Sequence, residues 1–327
     1  MSTSLICTVV VNYKTWSYTQ VCVDSLLACQ HPGHIVIVDN ASPNDSVDKL
    51  TQFLASVSDS VDVGQFEGFR TMTIGAQQAT ITLIESRVNG GYSAGNNIGL
   101  RYGLANSNCA YFWVLNNDTI VHPAALQALH SQAETSTLPK PGLIGSVLMH
   151  YDRPDVVQSI GGHYLPWLGI AFPVGDGLTD QTKLGHYKKQ INYVIGAACF
   201  MQRSFLMEVG LMDEDYFLYY EDTEWSYRAT RLGYTNDVCL TSVVYHRDGG
   251  STRQSTATPP LVDYYFARNK IRFSKVYFPY WLPTLCLSAL AATVWRLLNR
   301  NTRAAKLILA VTVEELFGRA PNYPDDK

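Results

Sequence analysis

Two strand-and-helix repeats at the start of the chain constrain its fold more than any other feature. Residues 5–11 and 34–38 are short β-branched runs, and segments with helical spacing follow at 18–28 and 46–55. The alternation continues with strands predicted at 81–84 and 110–115, and helices at 98–105 and 123–133. This pattern favours an α/β fold, with a doubly wound, mostly parallel sheet flanked by helices.

The remaining segments are less regular. Residues 56–80 are polar and weakly patterned, which indicates an inserted hairpin or loop at the periphery of the sheet. Residues 165–190 are predicted to form a mobile loop, followed by a strand at 194–201 and a short helix at 205–210. A strand at 241–245 is predicted to end at His246, just before Gly249, Gly250 and Ser251.

The domain prediction places a catalytic domain at residues 1–265 and a helical extension at 266–327. Within the first domain, a nucleotide-binding half ends near residue 122, and an acceptor half covers about 123–265. Seven cysteines occur without a CxxC pair, which is typical of reduced thiols in a cytosolic protein. No nucleic acid partner is predicted.

Three polar turns follow predicted strands, at Asp39-Asn40, at residues 89–97 and at 116–118. Ligands of open α/β sheets bind beyond the carboxyl ends of the strands, where these turns are expected to meet. Each turn also has a purely structural explanation. Asp39 could cap a helix, and the glycines of 89–97 could simply permit a tight turn. Three such turns at one edge favour a ligand site.

The turns suggest a nucleotide, although neither a GxGxxG motif after the first strand nor a P-loop is present. The carboxylate of Asp39 only accepts hydrogen bonds, which suits the imide N–H of uracil or thymine. Oxygen atoms of residues 116–118 suit a hard divalent cation, which would bridge a diphosphate. His246 could complete the metal shell, although a lone histidine is more often structural.

An acidic segment surrounded by aromatic residues is the strongest sign of chemistry. Glu221, Asp222 and Glu224 fall within four positions. Carboxylates in apolar surroundings are costly unless they are paired or used. The alternative is an ordinary helix start, with acidic residues favoured by the helix dipole and Arg228 as an ion-pair partner.

An ordered series of motifs resembles the family 2 glycosyltransferases, in particular their rhamnosyltransferase-like branch. The matching segments are 9–13 (VVVNY), 37–42 (IVDNAS), 89–97 (NGGYSAGNN), 115–119 (LNNDT), 196–197 (GA), 217–222 (FLYYED), 245–246 (YH) and 264–269 (YYFARN). The resemblance implies a GT-A fold with a C-terminal helical extension.

The resemblance also implies roles for individual residues. Asp222 would be the catalytic base, and Glu221 would orient or bind the acceptor. The residues implied in nucleotide binding are Asn12, Asp39, Asn40, Asn89, Gly91, Asn96 and Asn117. A divalent cation, Mg²⁺ or Mn²⁺, would be held by Asp118, His246 and Asn116.

The chain departs from the family pattern at three places. Asn116 stands where many relatives have Asp, which removes one charge from the metal site. Glu224 and Trp225 stand where Asp and Leu are usual, and the insertion at 56–80 has no counterpart in the pattern.

These observations predict an inverting transferase that moves a sugar from a nucleoside diphosphate to a hydroxyl of a growing glycan or lipid-linked acceptor. Rhamnose, carried by a thymidine or uridine diphosphate, is the first choice by resemblance. Two other classes stay open. One is a nucleotide-binding regulatory protein that has lost catalysis. The other is a nucleotidylyltransferase, although residues 12–16 lack the glycine-rich, basic loop that a triphosphate needs.

The C-terminal region has an unusual charge pattern. Residues 276–295 contain no charged side chain, and Lys or Arg residues flank them on both sides. Eight basic and no acidic residues lie between Arg268 and Lys306. The pattern predicts a segment lying on an anionic membrane, at the inner face of the cytoplasmic membrane. A helical hairpin packed on the catalytic domain is the alternative.

Overall fold

The structure is a computed structural model that describes residues 6–58, 61–76, 79–106, 108–247 and 259–318. The strands are β1 (Ile6–Asn12), β2 (Gly33–Asp39), β3 (Val61–Phe66), β4 (Phe69–Ala76), β5 (Ala79–Glu85), β6 (Tyr111–Asn116), β7 (Thr119–Val121), β8 (Pro141–His150), β9 (Arg153–Ser159), β10 (Gly162–Leu165), β11 (Ile170–Pro173), β12 (Ala198–Gln202) and β13 (Thr235–His246). The helices are α1 (Trp16–Leu27), α2 (Ser46–Val57), α3 (Gly91–Asn106), α4 (Ala125–Glu134), α5 (Leu184–Tyr187), α6 (Arg203–Glu208), α7 (Glu221–Arg231), α8 (Pro259–Tyr277), α9 (Leu282–Leu298) and α10 (Thr302–Phe317).

A large mixed sheet forms the centre of the fold. Its strand order is β3-β4-β5-β2-β1-β6-β12-β8-β13-β7, and β9 pairs with β8. The four strands β5-β2-β1-β6 are parallel to one another, as the alternation of strands and helices predicts. The pairs nearer the edges are mostly antiparallel. The predicted doubly wound, mostly parallel sheet flanked by helices is therefore confirmed, with antiparallel strands added around it.

Alternate residues of the central strands enter two separate core layers. Val10 and Ile37 belong to a layer that includes residues of α1, α2 and α4. Val9 and Val36 belong to the opposite layer, with residues of α3, α6 and α7. Strands that are buried on both faces carry nearly continuous apolar runs, which is why the sequence reveals these strands clearly.

The insertion at 56–80 is a hairpin at the edge of the sheet, as predicted for its described residues. β3 and β4 pair antiparallel, and β4 pairs with β5. Glu67 and Gly68 turn the chain with φ of 49° and 81°, a geometry that suits a two-residue hairpin. β3 is exposed along most of its length, so its sequence shows no clear alternation.

The prediction that α3 begins near residue 98 is wrong, because the helix begins at Gly91. The Asn89 side chain accepts a hydrogen bond from the Gly91 backbone N–H at 3.0 Å. Gly91 has a φ of +82°, and a Cβ there would lie 2.2 Å from the Phe217 carbonyl oxygen. Further along α3, a Cβ on Gly99 would lie 2.4 Å from Val9 Cγ1, so this glycine permits close packing on β1. Gly91 thus permits the start of α3, and Gly99 permits its packing on β1.

Two further predictions differ from the structure. β12 begins at Ala198 and not at 194, because the backbone N–H groups of Val194 and Gly196 donate to side chains of α7. The region 165–190, predicted as a loop, contains β11 and α5. The segment formed by Gly249, Gly250 and Ser251 lies outside the described residues, as do residues 319–327.

The chain divides into two compact units. The first comprises Met1–His163, Pro173–Phe217 and Glu221–Ser251, and the second comprises Tyr164–Phe172, Leu218–Tyr220 and Thr252–Lys327. The C-terminal helical extension is confirmed as α8, α9 and α10. The boundary predicted after residue 265 falls inside α8, and the two predicted halves of the catalytic domain remain a prediction.

Within the second unit, two tyrosines adopt the left-handed conformation. Tyr219 and Tyr220 have φ of 67° and 71°. The fully buried Asn269 side chain donates to the carbonyls of Leu218 and Tyr219, at 2.9 and 2.8 Å. The Tyr220 hydroxyl donates to the Gly169 carbonyl at 3.0 Å. These contacts stabilise a backbone that otherwise costs on the order of 1–3 kcal/mol per residue.

Candidate active site

The carboxyl ends of three parallel strands meet at one edge of the sheet. Asn12 at the end of β1 pairs in register with Asp39 at the end of β2. On the other side of β1, Val11 pairs with Asn116 at the end of β6. The structure therefore brings together the turns that sequence analysis predicts to converge.

Asp39 is the centre of a buried hydrogen-bond network. Its Oδ2 accepts from Asn12 Nδ2 at 2.7 Å and from Ser42 Oγ at 2.8 Å, and its Oδ1 accepts from the Ser42 backbone N–H at 2.9 Å. A carboxylate offers about four acceptor positions. Three are used here, which leaves one for a ligand. Asp39 therefore orders the turn after β2 and also keeps capacity for one further donor.

The turn before α3 is cross-linked by amide side chains. Asn40 Nδ2 donates to Asn89 Oδ1 and to the Gly91 carbonyl, both at 2.9 Å. Asn96 Nδ2 donates to the Tyr92 carbonyl at 2.9 Å, while its buried Oδ1 makes no hydrogen bond within the described chain. Asn40 and Asn89 thus hold the start of α3, and Asn96 contributes an unsatisfied acceptor.

Asn117 is directed towards α1. Its Nδ2 donates to Thr15 Oγ1 at 2.8 Å and to Thr19 Oγ1 at 2.9 Å. The Thr19 hydroxyl in turn donates to Asn12 Oδ1 at 2.7 Å. These bonds connect the turn after β6 to the turn after β1. Asn117 is thereby linked through Thr19 to Asn12, which is part of the network around Asp39.

Asn116, Asp118 and His246 form a compact polar cluster. His246 Nε2 lies 3.3 Å from Asp118 Oδ1 and 3.4 Å from Asn116 Nδ2. Asp118 Oδ1 and Asn116 Oδ1 are buried and make no hydrogen bond with any described residue. On its other side, His246 Nδ1 lies 2.8 Å from Gln158 Oε1. In the tautomer in which Nδ1 donates to this oxygen, Nε2 presents a lone pair to the cluster.

This donor set fits a hard divalent cation. The cluster contains one imidazole nitrogen and two buried oxygens without a hydrogen-bond partner among the described residues. Gln158 contacts the other ring nitrogen of His246, as hydrogen-bond partners of metal-ligating histidines commonly do. Among the described residues, no group of three His, Cys, Asp or Glu side chains is placed to hold a metal. A site with one carboxylate suits Mg²⁺-like ions that are also coordinated by substrate phosphates.

The buried Glu221 and the half-buried Asp222 begin α7 as a pair of carboxyl groups. Asp222 Oδ2 accepts from the Gly196 backbone N–H at 2.8 Å, and its Oδ1 accepts from the Thr223 backbone N–H. Glu221 Oε2 is buried and has no hydrogen-bond partner among the described residues. The Tyr92 hydroxyl donates to the Gly196 carbonyl at 2.7 Å, so Gly196 is held on both sides.

Burial changes the acidity of this pair. Desolvation, and secondarily the charge of Asp222, raises the pKa of Glu221 well above its usual range. Desolvation also raises the pKa of Asp222, although hydrogen bonds from Gly196 and Thr223 oppose the effect. Two backbone N–H groups donate to Asp222, whereas Glu221 Oε2 has no hydrogen-bond partner among the described residues. Asp222 is the member of the pair better suited to carry negative charge and to accept a proton.

Glu224 has a different environment from its two neighbours. Its carboxylate pairs with Arg228 at 2.9 Å, one helical turn later. Arg228 also donates to the carbonyls of Val209 and Leu211. For Glu224, the structural explanation therefore holds, and the unneutralised pair at the start of α7 is confined to Glu221 and Asp222.

A short segment before β12 links the acidic pair to the strand edge. The Gly196 N–H binds Asp222, and the carbonyl of the next residue, Ala197, accepts from the Asn116 N–H at 3.0 Å. No sequence pattern marks Gln158 as a functional residue, and Gly196 belongs only to a two-residue motif. Their functions depend on partners far away in the chain, 88 residues distant for Gln158 and 26 for Gly196.

The sequence model of the family described as Glycosyl transferase family 2 matches residues 7–210, more than half of the chain. This chain belongs to glycosyl transferase family 2. It is also similar to the low-salt glycan biosynthesis hexosyltransferase Agl10 of Haloferax volcanii, at 27% identity over 206 residues. That alignment covers 60% of this chain and 62% of the relative, so the chain matches less than two thirds of that protein's length.

Two solved structures share the fold. A mannosyltransferase of Pyrobaculum calidifontis, in complex with GDP-Man and Mn²⁺, aligns with a TM-score of 0.55 at 13% identity and covers 96% of this chain and 87% of its own. GalNAc-T7, with UDP, GalNAc and Mn²⁺, aligns with a TM-score of 0.56 at 15% identity. That alignment covers 88% of this chain and 57% of the GalNAc-T7 chain. The predicted GT-A fold is thereby confirmed. The matches do not single out a rhamnosyltransferase-like branch.

Proposed function

We propose that this family 2 chain is an inverting transferase. It moves a hexose-type sugar from a nucleoside diphosphate donor to a hydroxyl of a growing glycan or lipid-linked acceptor. The observation that carries the proposal is the pair Glu221 and Asp222. Glu221 is buried and Asp222 is half-buried, and neither has a cationic partner among the described residues. Asp222 is tied through Gly196 and Ala197 to the strand edge at Asn116.

Inversion at the anomeric carbon needs one in-line displacement. A hydroxyl is a poor nucleophile and needs a base within hydrogen-bond reach. Asp222 is the proposed base. One of its oxygens is held by the Gly196 N–H, and desolvation raises its pKa towards the range in which a carboxylate accepts a proton effectively. Glu221, whose pKa desolvation raises well above its usual range, is proposed to orient the acceptor through a hydrogen bond.

We further propose that Asn116, Asp118 and His246 hold a divalent cation, Mg²⁺ or Mn²⁺. Two structural neighbours bind Mn²⁺ together with a nucleotide or nucleotide sugar, which supports a cation of this type. When bound, the cation supplies charge neutralisation for the departing diphosphate. Gln158 would hold the ring of His246 in the position needed to bind the cation.

The nucleotide is proposed to bind along the edge formed by Asn12, Asp39, Asn40, Asn89, Gly91, Asn96 and Asn117. Asp39 has one acceptor position left for the imide N–H of uracil or thymine. Rhamnose, on a thymidine or uridine diphosphate, remains the first choice of sugar because of the motif resemblance. The neighbours bind guanosine and uridine nucleotides, so the fold itself accepts different bases.

A panel of nucleotide sugars tests the proposed class. With Mn²⁺ present, at least one donor should release its nucleoside diphosphate. A nucleotidylyltransferase would instead release pyrophosphate from a nucleoside triphosphate and a sugar phosphate. A regulatory protein without catalysis would bind nucleotide and release neither product, and either of these results would overturn the proposal.

Substitution of Asp39 tests the nucleotide pocket. Asp39→Asn should raise the donor KM by about 10–100-fold with little change in kcat, because a hydrogen bond to a charged group contributes roughly 1.5–3 kcal/mol to binding. Ser42→Ala is the matched control, since it removes bonds of the same turn and leaves the carboxylate. An equal rise of KM in both variants, or equal use of guanosine and thymidine donors, would contradict base recognition by Asp39.

A further inference from the structure

One side of α9 is an exposed apolar stripe. Its residues recur every three or four positions, and we define the α9 stripe as Leu287, Leu290, Val294 and Leu298. Leu287 is 66% exposed and Leu298 77% exposed. By length and composition alone, Pro279–Leu298 is the one segment of the described chain that could cross a membrane, and only 11% of it is buried. A contiguous exposed apolar patch of this kind marks an interaction surface.

The buried residues of α9, Leu285 and Thr293, lie away from the stripe, and polar contacts at neighbouring positions fix the helix within the second unit. Thr284 Oγ1 donates to the Trp167 carbonyl at 2.7 Å, and Lys270 Nζ donates to Ser288 Oγ at 2.8 Å. These side chains would face hydrocarbon if α9 crossed a bilayer, and unsatisfied polar groups there are costly. The two-sided character of α9 therefore suits a helix that lies on a surface, with one face packed on its own unit.

The ion pairing of the basic residues separates them into two groups. Arg268 pairs with Glu315, Arg296 pairs with Asp263, and Lys275 donates to a backbone carbonyl, all inside the second unit. In contrast, the exposed residues directly after the stripe make no ion pair with any described residue. We define them as the basic triad: Arg300, Arg303 and Lys306.

We propose that the α9 stripe and the basic triad form a docking surface for an anionic lipid bilayer. The stripe would enter the boundary between headgroups and acyl chains, and the triad would contact phosphate headgroups. The apolar stripe and the free cations are neighbours in the chain, and this combination is complementary to a negatively charged leaflet. The attachment is peripheral, at the anionic cytoplasmic leaflet. It does not depend on the proposed transferase activity.

Flotation of the full-length protein with vesicles tests the docking surface. The protein should float with vesicles of phosphatidylcholine and phosphatidylglycerol at low salt, and it should be released at high salt. Replacing the triad by glutamine should weaken this binding on the order of 10²-fold, since each basic residue near such a surface contributes about 1 kcal/mol. Lys189→Gln, which removes an exposed charge from the first unit, should leave it unchanged.

Variants of the stripe test the apolar part. Leu287→Asp with Leu290→Asp should abolish flotation, whereas Met207→Asp, at a position 69% exposed outside the stripe, should not. A thermal melt shows whether each variant is folded, and the milder Leu290→Ser should weaken binding if the double variant fails to fold. Three results would overturn the proposal. The first is that the protein does not bind vesicles at low salt, and the second is that only detergent releases it from them. The third is that the stripe mediates a dimer that does not bind vesicles.

Discussion

Asp222→Asn should lower the transfer rate by roughly 10²–10⁴-fold, the contribution typical of a positioned general base. The amide keeps the shape of the side chain, so the nucleotide edge should remain intact and donor affinity should change little. Initial transfer rates should be measured with a donor that the wild type uses, and nucleotide affinity should be measured by calorimetry. The first measurement reports catalysis and the second reports donor binding. A variant that transfers sugar at a rate near that of the wild type would remove Asp222 from the mechanism.

Glu221→Gln is the matched control for this prediction. Since desolvation raises the pKa of Glu221 well above its usual range, a neutral amide should replace it with little change of charge, and kcat should stay within about tenfold of the wild type. If Glu221→Gln is inactive and Asp222→Asn active, the two roles are reversed. The acid limb of kcat/KM should also lie above the usual range of an aspartate, because burial raises the pKa of Asp222.

The same pKa shifts have a consequence for stability. A carboxyl group whose pKa is higher in the folded state binds its proton more tightly there, so the free energy of unfolding should rise as pH falls through the raised pKa. Near neutral pH, Asp222→Asn removes a half-buried carboxylate, which favours the folded state, but its NH₂ group cannot accept the hydrogen bond from Gly196 or Thr223 that one carboxylate oxygen accepts. The two effects oppose each other, so the melting temperature should change little while activity is lost. A large fall in melting temperature would mean that lost activity reflects misfolding.

Loss of the proposed cation site is the second large effect that we expect. Asp118→Ala removes the carboxylate of the cluster, and His246→Ala removes its imidazole. Each should lower the transfer rate about 10²-fold or more, since charge neutralisation by a metal is worth several kcal/mol. Titration of Mn²⁺ with nucleoside diphosphate present should show weaker binding of both together. Full activity in excess chelator would contradict the assignment.

Two further variants grade this effect. Gln158→Leu leaves all three proposed ligands in place and removes the bond to His246 Nδ1, so Mn²⁺ affinity should fall by about 10–100-fold. Asn116→Asp adds a charge and should tighten Mn²⁺ binding if Asn116 is a ligand. Unchanged Mn²⁺ affinity in both variants would show that these side chains do not face the ion.

The central sheet could be predicted from sequence because its strands are buried on both faces and stand out as apolar runs. The convergence of Asn12, Asp39 and Asn116 followed from the same pattern, since parallel strands end at one edge. The start of α3 could not be predicted in this way. Its first turn depends on Asn89 and on close approach to the Phe217 carbonyl, which only the folded chain brings near.

Side-chain partners were the least predictable part of the candidate site. Glu221, Asp222 and Glu224 look alike in the sequence, yet among the residues that the structure describes an arginine pairs with Glu224 alone. His246 is a lone histidine in the sequence, and its orientation depends on Gln158 from a different strand. Such distinctions arise from contacts between distant segments, which local propensity and periodicity do not encode.

The most direct test of an inverting mechanism is the anomeric configuration of the first product, observed by proton NMR during donor turnover. Water can serve as acceptor, so the experiment needs only a donor that the enzyme accepts. We predict that the released or transferred sugar initially has the configuration opposite to that of the donor, and that Asp222→Asn greatly slows its appearance. A product that retains the donor configuration would contradict the single displacement assisted by Asp222.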